Sequence, residues 1–402
     1  MSKKVIVCGG GAAGFFAAIN IAEKHPDYQV SLLEKSSKVL SKVKISGGGR
    51  CNVTNARHQA SELVKFYPRG QKKLHRLFKS FTTKDMVDWL DAHGVATHTE
   101  EDLRMFPRSN NSQTIIDCFM QAAQQSRVQL KTNCGLSTFE QSKEGWTVHT
   151  TQNESLFADV LVIATGSAAS VWKKLGALGL LVERAVPSLF TFNIQDPRLE
   201  GLSGMSFSEV SARVSGTKLE DQGPLLITHW GLSGSAVLKL SAWGARWMEE
   251  QKYRFSVQIN FLPDYNFDQF RAYLDRYKAE HPKRMVKNFS LEAVPNRYWE
   301  RLLKYLEIQP EMPFAELPKK QLNKLCVELT QATFDVKGKS TFKEEFVTCG
   351  GVALSEVDLK KMEAKSYPNL FFCGEVLDID ALTGGFNFQS CWSTAWQVSS
   401  SV

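Results

Sequence analysis

The sequence predicts an α/β protein in which a discontinuous Rossmann-like domain is interrupted by a β-barrel-like domain and a small helical domain. Three observations predict this fold. The first 34 residues run as strand, glycine-rich loop, helix, strand and acidic residue. From Pro187 onwards, extended segments alternate apolar and polar residues, and a buried strand of the first kind returns at Asn369 to Glu375. The predicted boundaries are 1–187 with 348–402, 188–264 with 333–347, and 265–332.

The first glycine-rich loop follows the apolar run Val5-Ile6-Val7-Cys8 and reads Gly9-Gly10-Gly11-Ala12-Ala13-Gly14. Gly9 permits a tight turn, Gly11 lets the backbone approach a diphosphate, and Gly14 lets the helix pack closely on the strand. The N-terminus of the following helix favours an anion. A plain glycine turn is the alternative, but the order of elements favours a dinucleotide site.

Glu34 follows the second apolar run, Val30-Ser31-Leu32-Leu33, 20 residues beyond Gly14. A carboxylate in this place accepts hydrogen bonds from a ribose hydroxyl pair and disfavours a 2′-phosphate. This motif leaves NAD and FAD equally open.

Between the two ends of the Rossmann-like domain, helical and extended segments alternate. Helical stretches are expected from about Lys72 to Ala92 and from Ser112 to Ser126, with hairpin strands near 137–140 and 146–150. The apolar run 160–166, which ends Ala164-Thr165-Gly166, predicts a central parallel strand that stops at a cofactor crevice. In the inserted part, strands are expected at 189–194, 206–215, 225–229, 254–261 and 333–347, and helices between 265 and 332.

The composition excludes several classes of protein. No apolar run approaches the roughly 18 to 20 residues of a membrane span, and the chain enters its first strand after Met1-Ser2-Lys3-Lys4, so no membrane or secretory location is expected. Eight cysteines are scattered without a CxxC pair or zinc-type spacing. A cytoplasmic, metal-free protein with inert thiols is therefore predicted.

The net charge of +7 is modest, and the cations occur in short clusters such as Lys72-Lys73-Leu74-His75-Arg76 and His281-Pro282-Lys283-Arg284. Such clusters are typical of solvated helix faces. Attraction of nucleic acid or an anionic substrate is the alternative, although no recognised nucleic-acid motif accompanies them.

A second glycine-rich loop, Ser46-Gly47-Gly48-Gly49-Arg50-Cys51-Asn52-Val53-Thr54-Asn55, stands where an ordinary dinucleotide fold has none. Its glycines permit a close backbone approach that a side chain would block. A large bound flavin accounts for this second loop.

With these motifs, the chain resembles the two-dinucleotide-binding-domain flavoproteins, and among them the BaiN/YhiN-type family of NAD(P)/FAD-dependent oxidoreductases. The resemblance is close to full length. Its most specific parts are the segments 46–55, 228–234 (Thr-His-Trp-Gly-Leu-Ser-Gly), 349–352 (Cys-Gly-Gly-Val), 374–378 (Gly-Glu-Val-Leu-Asp) and 383–389 (Thr-Gly-Gly-Phe-Asn-Phe-Gln).

The resemblance implies non-covalent FAD. Glu375 would lie beside the ribityl chain and diphosphate, and the backbone N–H groups of 385–388 would lie near the N1–C2=O edge of the ring, where they stabilise the reduced anion. The predicted cofactor contacts are Gly9, Gly11, Ala12, Ala13, Gly14, Glu34, Lys35, Lys42, Ser46, Gly48, Arg50, Cys51, Asn52, Gly135, Leu136, Ala164, Thr165, Gly166, Gly374, Glu375, Asp378, Gly385, Phe386, Asn387 and Phe388.

Four side chains are candidates for more specific roles. Arg50 is the candidate for charge near the ring and, with His229, a candidate catalytic residue. Lys42 is expected to contact the diphosphate or to be exposed. Cys51 beside a flavin admits a redox thiol, but packing or hydrogen bonding is the favoured role because no resolving cysteine is near in sequence. His229 is the candidate acid, with a structural role at a strand end as its alternative.

Three departures from the family pattern stand in the same motifs. Ser167 replaces the last glycine of Ala-Thr-Gly-Gly, Phe386 replaces the tyrosine of Gly-Tyr-Asn, and Ala381 replaces the glycine of Asp-Gly. Loss of the tyrosine hydroxyl removes a proton donor, so no chemical role is assigned to Phe386.

The activity implied by the resemblance is transfer of hydride from NAD(P)H to flavin and then to an activated C=C bond of a hydrophobic organic substrate. The hydride would go from N5 to the β carbon, and a proton would go to the α carbon. NAD(P)H would bind transiently, since no second complete GxGxxG unit is present. A flavin-containing scaffold without turnover and an RNA-linked flavoenzyme are the alternatives. The oligomeric state stays open.

Overall fold

The computed structural model describes residues 2–340 and 347–402, apart from the side chain of Lys72. The chain divides into two compact units, which we call unit 1 (Met1–Val186 and Lys343–Val402) and unit 2 (Pro187–Phe342). In the described ranges no helix combines the length and the apolar character that crossing a membrane requires. Part of the strand expected at 333–347 falls at 341–346 and so lies outside the described residues.

The elements are numbered in chain order. The helices are α1 Ala12–Lys24, α2 Ser41–Gly49, α3 Ala60–Leu63, α4 Gln71–Ser80, α5 Thr83–Ala92, α6 Ser112–Gln125, α7 Ala169–Ala177, α8 Ser235–Trp243, α9 Ala245–Glu250, α10 Phe267–Glu280, α11 Asn296–Tyr305, α12 Lys319–Thr330 and α13 Phe386–Ser399. The strands are β1 Lys4–Cys8, β2 Gln29–Leu33, β3 Thr54–Asn55, β4 Thr97–Thr99, β5 Arg104–Pro107, β6 Gln129–Lys131, β7 Leu136–Gln141, β8 Trp146–Thr150, β9 Ser155–Ala158, β10 Val160–Ile163, β11 Val182–Ser188, β12 Thr191–Asn193, β13 Ser206–Val214, β14 Glu220–Ile227, β15 Gly231–Ser233, β16 Arg254–Asn260, β17 Ala332–Lys337, β18 Lys339–Ser340, β19 Val347–Val352, β20 Val357–Asp358, β21 Glu363–Ala364 and β22 Leu370–Phe372.

Unit 1 is built on a seven-stranded sheet in the order β20-β21-β22-β10-β1-β2-β6. The five strands from β22 to β6 are parallel, and β20 and β21 continue the sheet in antiparallel fashion. Parallel strands end at the same edge of a sheet, which is where ligands bind in open α/β folds. The last strand of the chain, β22, therefore ends at the same edge of the sheet as the first strand, β1, and β10 lies between the two.

The apolar segments that predict the helices and strands of unit 1 form its core. Helix α1 is buried from Ala13 to Ala22, and β10 is buried along its whole length. Both faces of the parallel sheet are covered, so its strands read as continuous apolar runs. The Rossmann-like α/β class is confirmed.

The expected helical stretch from Lys72 to Ala92 is two helices, α4 and α5. The break lies at a capping box, in which Asp85 N–H donates to Thr82 Oγ1 (3.3 Å) and Thr82 N–H donates to the Asp85 carboxylate (2.6 Å). This exchange satisfies backbone donors at a helix start, so a new helix begins there. The continuous helix was a wrong prediction.

Unit 2 holds an antiparallel sheet in the order β17-β16-β13-β14-β15-β12-β18. Its edge strands, β17 and β18, are consecutive in the chain and are separated by Gly338 alone, so the sheet closes on itself as a barrel. The helices α10, α11 and α12 belong to the same unit and share its core. Phe261, after β16, lies 4.8 Å from the ring of Tyr298 in α11.

Candidate functional site

The first glycine-rich loop makes the turn from β1 into α1. Gly9 has a φ of +116°, and a Cβ on it would collide with the carbonyl of Ala164. A Cβ on Gly14 would collide with the carbonyl of Gly9, whereas no atom lies within 4 Å of a Cβ built on Gly11. Two glycines are therefore needed for turn and packing, while the third leaves open space at the N-terminus of α1. The N–H groups of the first turn, including that of Ala12, have no acceptor within the helix.

The carboxylate of Glu34, after β2, lies over this loop. One carboxylate oxygen of Glu34 accepts from the Gly10 N–H (2.8 Å), and the other accepts from the Ser36 N–H (2.9 Å). A Cβ on Gly135 would come within 2.6 Å of the Lys35 side chain, so the segment before Leu136 is packed closely on the end of β2. The residues predicted for the adenosine end of the cofactor are thus gathered at one edge of the sheet.

The chain after β10 supplies the facing side of the crevice. Ala164 and Thr165 line the Gly9 turn, and Gly166 has a φ of +60°. The hydroxyl of Thr165 is buried and has no hydrogen-bond partner among the described residues. Because an unpaired buried polar group is costly, this hydroxyl indicates a missing polar ligand in the crevice.

The second glycine-rich loop is a distorted end of α2. Gly47, Gly48 and Gly49 have φ values of +57°, +68° and +84°, and Ser46 is extended. No atom lies within 4 Å of a Cβ built on Gly48 or Gly49. The loop therefore presents bare backbone to open space, as close approach of a large flat ligand requires.

Arg50 and Cys51, at the end of this loop, are held by the protein itself. The Arg50 guanidinium lies 2.6 Å from a Glu100 oxygen and 4.1 Å from the centre of the Phe106 ring. Cys51 is fully buried, and burial raises the pKa of its thiol to about 12. A thiol of this kind stays protonated at neutral pH, so the geometry favours packing over redox chemistry for Cys51.

Lys42 in α2 forms an ion pair with Glu375, which follows β22. Gly374 is packed on α1, where a Cβ would come within 2.6 Å of that of Ala13, and its N–H donates to Thr394 (2.9 Å). The pair of Lys42 and Glu375 thus joins the two ends of the chain at the crevice.

Asn52, after the second glycine-rich loop, forms a hydrogen bond with Gly385, before α13. In the orientation that satisfies both ends of its amide, Asn52 accepts from the Gly385 N–H (2.9 Å) and donates to the carbonyl of Thr54 (3.0 Å). A Cβ on Gly385 would collide with the Thr54 backbone. The N–H of Gly385 is therefore used within the protein, which differs from its predicted role toward the flavin edge.

Helix α13 begins at Phe386, so the N–H groups of Phe386, Asn387 and Phe388 form its first turn. They have no acceptor within the helix and stand at its positive end. The Asn387 side chain bonds both backbone groups of Ala381, donating at 3.0 Å and accepting at 2.9 Å. This residue fixes the turn that precedes the helix.

Sequence reasoning missed the segment that supports this turn. The Tyr67 hydroxyl donates to the Phe386 carbonyl (2.6 Å), and the Phe66 ring stacks on Phe386 with centres 4.2 Å apart. Arg69 forms an ion pair with Asp380, whose carboxylate is fully buried. A buried acid in a motif needs a cation, and that was the one signal in the sequence for Arg69.

Asp378 lies beside this support and lines a cavity of about 410 Å³. The other lining residues are Arg69, Gly70, Gln71, Lys73, Leu181, Glu183, Ala353, Leu354 and Ser355. The volume lies in the range of small-molecule sites.

His229 belongs to unit 2, in the turn between β14 and β15. The turn is tied by Thr228, whose hydroxyl accepts from the N–H groups of Trp230 and Gly231, both at 3.2 Å. His229 is exposed, and Trp230 beside it is 57% exposed. The imidazole is thus presented to solvent next to an aromatic surface.

The described residues fit FAD. The open space at Gly11 and at Gly48, the unpaired hydroxyl of Thr165, and two helix N-termini in unit 1 match a long ligand with a diphosphate and a flat ring. The first helix would hold the diphosphate and the second, α13, the ring.

Comparison with known proteins decides the family. The model of the HI0933-like protein Rossmann domain matches residues 3–401. The chain belongs to this family. It is 30% identical to the ribosomal RNA dihydrouridine synthase of Escherichia coli (strain K12), over 97% of this chain and 96% of that protein.

Two further proteins place the chain more broadly. It is 25% identical to the 3-dehydro-bile acid delta(4,6)-reductase of Clostridium scindens, over 98% of this chain and 97% of that protein. The solved structure of 3-ketosteroid delta1-dehydrogenase from Sterolibacterium denitrificans, in complex with 1,4-androstadiene-3,17-dione, matches with a TM-score of 0.53 at 10% identity over 99% of each chain. The last match shows a shared fold. The chain is an FAD-dependent oxidoreductase, as its resemblance to this family implied.

Proposed function

We propose that this enzyme reduces the C=C bond of a conjugated carbonyl system with electrons from NAD(P)H, and that its substrate is a uracil base in ribosomal RNA. The observation that carries the proposal is the 30% identity, over nearly the whole chain, to a ribosomal RNA dihydrouridine synthase. Dihydrouridine is uridine whose C5=C6 bond is saturated. The positive net charge of +7 is compatible with an RNA substrate.

The reaction is balanced without any further reactant. NAD(P)H and one proton are consumed, NAD(P)⁺ is released, and two hydrogens are added across C5=C6. Bound FAD would supply the two-electron relay between donor and base. C6 lies β to the C4 carbonyl and is the electron-poor carbon, so the hydride is added at C6. The proton is then added at C5.

The residues of unit 1 have definable tasks in this reaction. The first-turn N–H groups of α13 would direct partial positive charge at the flavin ring, which would stabilise the negative charge of its reduced form. Asn387 and Tyr67 hold that turn in place through Ala381 and Phe386. Gly48 leaves room for a planar base or ring to lie close to the backbone. Together these residues bind and orient the groups that react.

His229 is the proposed proton donor because it is exposed and because an imidazole can both hold and release a proton. We expect His229→Gln to slow oxidation of the reduced enzyme by its acceptor about 10²-fold or more, with flavin reduction by NAD(P)H unchanged. His281→Gln, at another exposed histidine of unit 2, is the matched control. Equal rates for both variants would remove His229 from this role.

The substrate is tested by mixing photoreduced holoenzyme with acceptors in the absence of oxygen. Deproteinised ribosomal RNA should restore the absorbance of oxidised flavin at about 450 nm. The base composition of the RNA should show dihydrouridine. No return of absorbance with RNA contradicts the proposed substrate.

A hydrophobic ring enone is the second candidate substrate, favoured by the similarity to the 3-dehydro-bile acid delta(4,6)-reductase. It requires the same addition of two hydrogens across a conjugated bond. In the same experiment, oxidation by a 4,6-dien-3-one steroid without oxidation by RNA supports this candidate. A holoenzyme that neither NADH nor NADPH reduces would favour the scaffold alternative.

A further inference from the structure

One stretch of unit 1 has a strong excess of positive charge. Residues 57–79, which we call the basic segment, contain seven Lys or Arg residues and a single acidic residue, Glu62. The helix that follows, α5, has the opposite balance, with three Asp residues and one Lys. The positive excess of the basic segment therefore ends before α5, and four of its seven cations belong to α4.

Four cations of the basic segment point to solvent. Lys65, Lys73, Arg76 and Lys79 are exposed, and none of them forms an ion pair with another described residue. Helix α4 buries Leu74, Leu77 and Phe78 on its other side. The apolar side anchors α4, so Lys73, Arg76 and Lys79 are held outward as a fixed surface. We call these four cations the basic face.

The segment that directly follows Lys65 lies next to the turn that begins α13. The Phe66 carbonyl accepts from the Leu382 N–H (2.9 Å), and the hydroxyl of Tyr67 bonds the carbonyl of Phe386 (2.6 Å). The residues between Lys65 and Lys73 are thus the direct support of the turn proposed to hold the flavin ring. A polyanion on the basic face would run past this turn.

We infer that the basic face binds the phosphodiester backbone of the RNA whose base is reduced, an inference that rests on the proposed function. Phosphates are the partners that unpaired surface Lys and Arg residues take in nucleic-acid complexes. An anionic membrane is disfavoured because the basic segment exposes no large hydrophobic side chain that could anchor in lipid. A steroid substrate carries no row of charges to match the face.

The test compares two triple variants with the same loss of charge. Lys73→Gln/Arg76→Gln/Lys79→Gln neutralises the basic face on α4. Lys319→Gln/Lys320→Gln/Lys324→Gln neutralises three exposed cations on α12 of unit 2 that also lack ion pairs among the described residues. Binding of a uridine-rich 20-nucleotide RNA to each oxidised holoenzyme is measured at several salt concentrations, without turnover.

We expect the α4 variant to bind the RNA at least about 10-fold more weakly and the slope of log K against log salt to fall in magnitude by about 2, since each phosphate contact on single strands contributes about 0.7. The α12 variant should keep the wild-type slope. Its FAD content, and that of the α4 variant, should equal that of the wild type.

Equal slopes for the α4 variant and the wild type overturn the inference, as does an equal loss in the two variants, which would reflect net charge alone. The inference is also overturned if the α4 variant loses binding to phosphatidylglycerol vesicles while its RNA binding is unchanged. The readout is independent of base reduction. An enzyme that binds RNA through α4 but never saturates uracil supports the surface and contradicts the proposed function.

Discussion

At the scale of single residues, Gly11 and Gly14 separate two uses of glycine. A Cβ at Gly11 meets no atom within 4 Å, while a Cβ at Gly14 collides with the backbone of Gly9. We expect Gly11→Ala to leave the melting temperature of the apoprotein unchanged and to weaken FAD binding about 10-fold or more. Gly14→Ala should lower the melting temperature of the apoprotein itself. Calorimetry and fluorescence titration with FAD measure the two effects. An apoprotein destabilised equally by both changes contradicts this assignment.

The thiol of Cys51 gives a second prediction. Because burial raises its pKa to about 12, only on the order of 10⁻⁴ of it is thiolate at pH 8. Iodoacetamide should therefore label Cys51 in urea but not in the native protein, and Cys51→Ser should keep NAD(P)H-driven flavin reduction. The folded state holds this proton more tightly than the unfolded state, so its stability contribution is complete below about pH 8.5 and is lost as the pH rises toward 12. Rapid native labelling, or loss of flavin reduction in the serine variant, would revive a redox role.

Individual residues also show where sequence reasoning stops. The glycine spacing predicted the turn at Gly9 and the close packing at Gly14, because these depend on backbone geometry that the motif encodes. The partners of Arg50 and Lys42 could not be predicted. They are Glu100 and Glu375, and pairing between side chains so far apart in sequence is fixed by the fold.

At the scale of elements, the ion pair of Arg69 and Asp380 joins the segment just before α4 to the segment before α13. Asp380 is fully buried, so Arg69→Met leaves a buried carboxylate without its guanidinium and should lower the free energy of unfolding by about 3–5 kcal/mol. Arg69→Met/Asp380→Leu should recover part of the loss, as measured by urea unfolding.

Lys84→Met is the control for this prediction. It breaks the exposed pair of Lys84 and Asp88 and should change stability little. If Arg69→Met is as mild as Lys84→Met, the buried pair does not fix the turn.

The elements themselves were largely readable from apolar periodicity. The five parallel strands, the hairpin of β7 and β8, and α6 appear where the pattern places them. The break between α4 and α5 was missed, although Thr82 and Asp85 stand three residues apart as in a capping box. The amphipathic pattern continues across the break, so periodicity alone favoured a single helix.

At the scale of the whole molecule, the discontinuous Rossmann-like architecture followed from strands of one kind at both ends of the chain. Closure of the sheet of unit 2 could not be predicted from the sequence. It depends on β18, which continues β17 across Gly338 and pairs with β12. Substrate identity was beyond the sequence because the motifs describe the cofactor. The proposal of RNA as the substrate rests on the similarity to the E. coli ribosomal RNA dihydrouridine synthase.

The stoichiometry of a single turnover tests the central claim most directly. Holoenzyme with fully reduced FAD is mixed without oxygen with excess deproteinised ribosomal RNA, and both oxidised flavin and saturated uracil are counted, the latter by the mass of two added hydrogens. We expect one dihydrouridine for each flavin oxidised. Flavin that stays reduced, or that is oxidised without forming any saturated base, would contradict it.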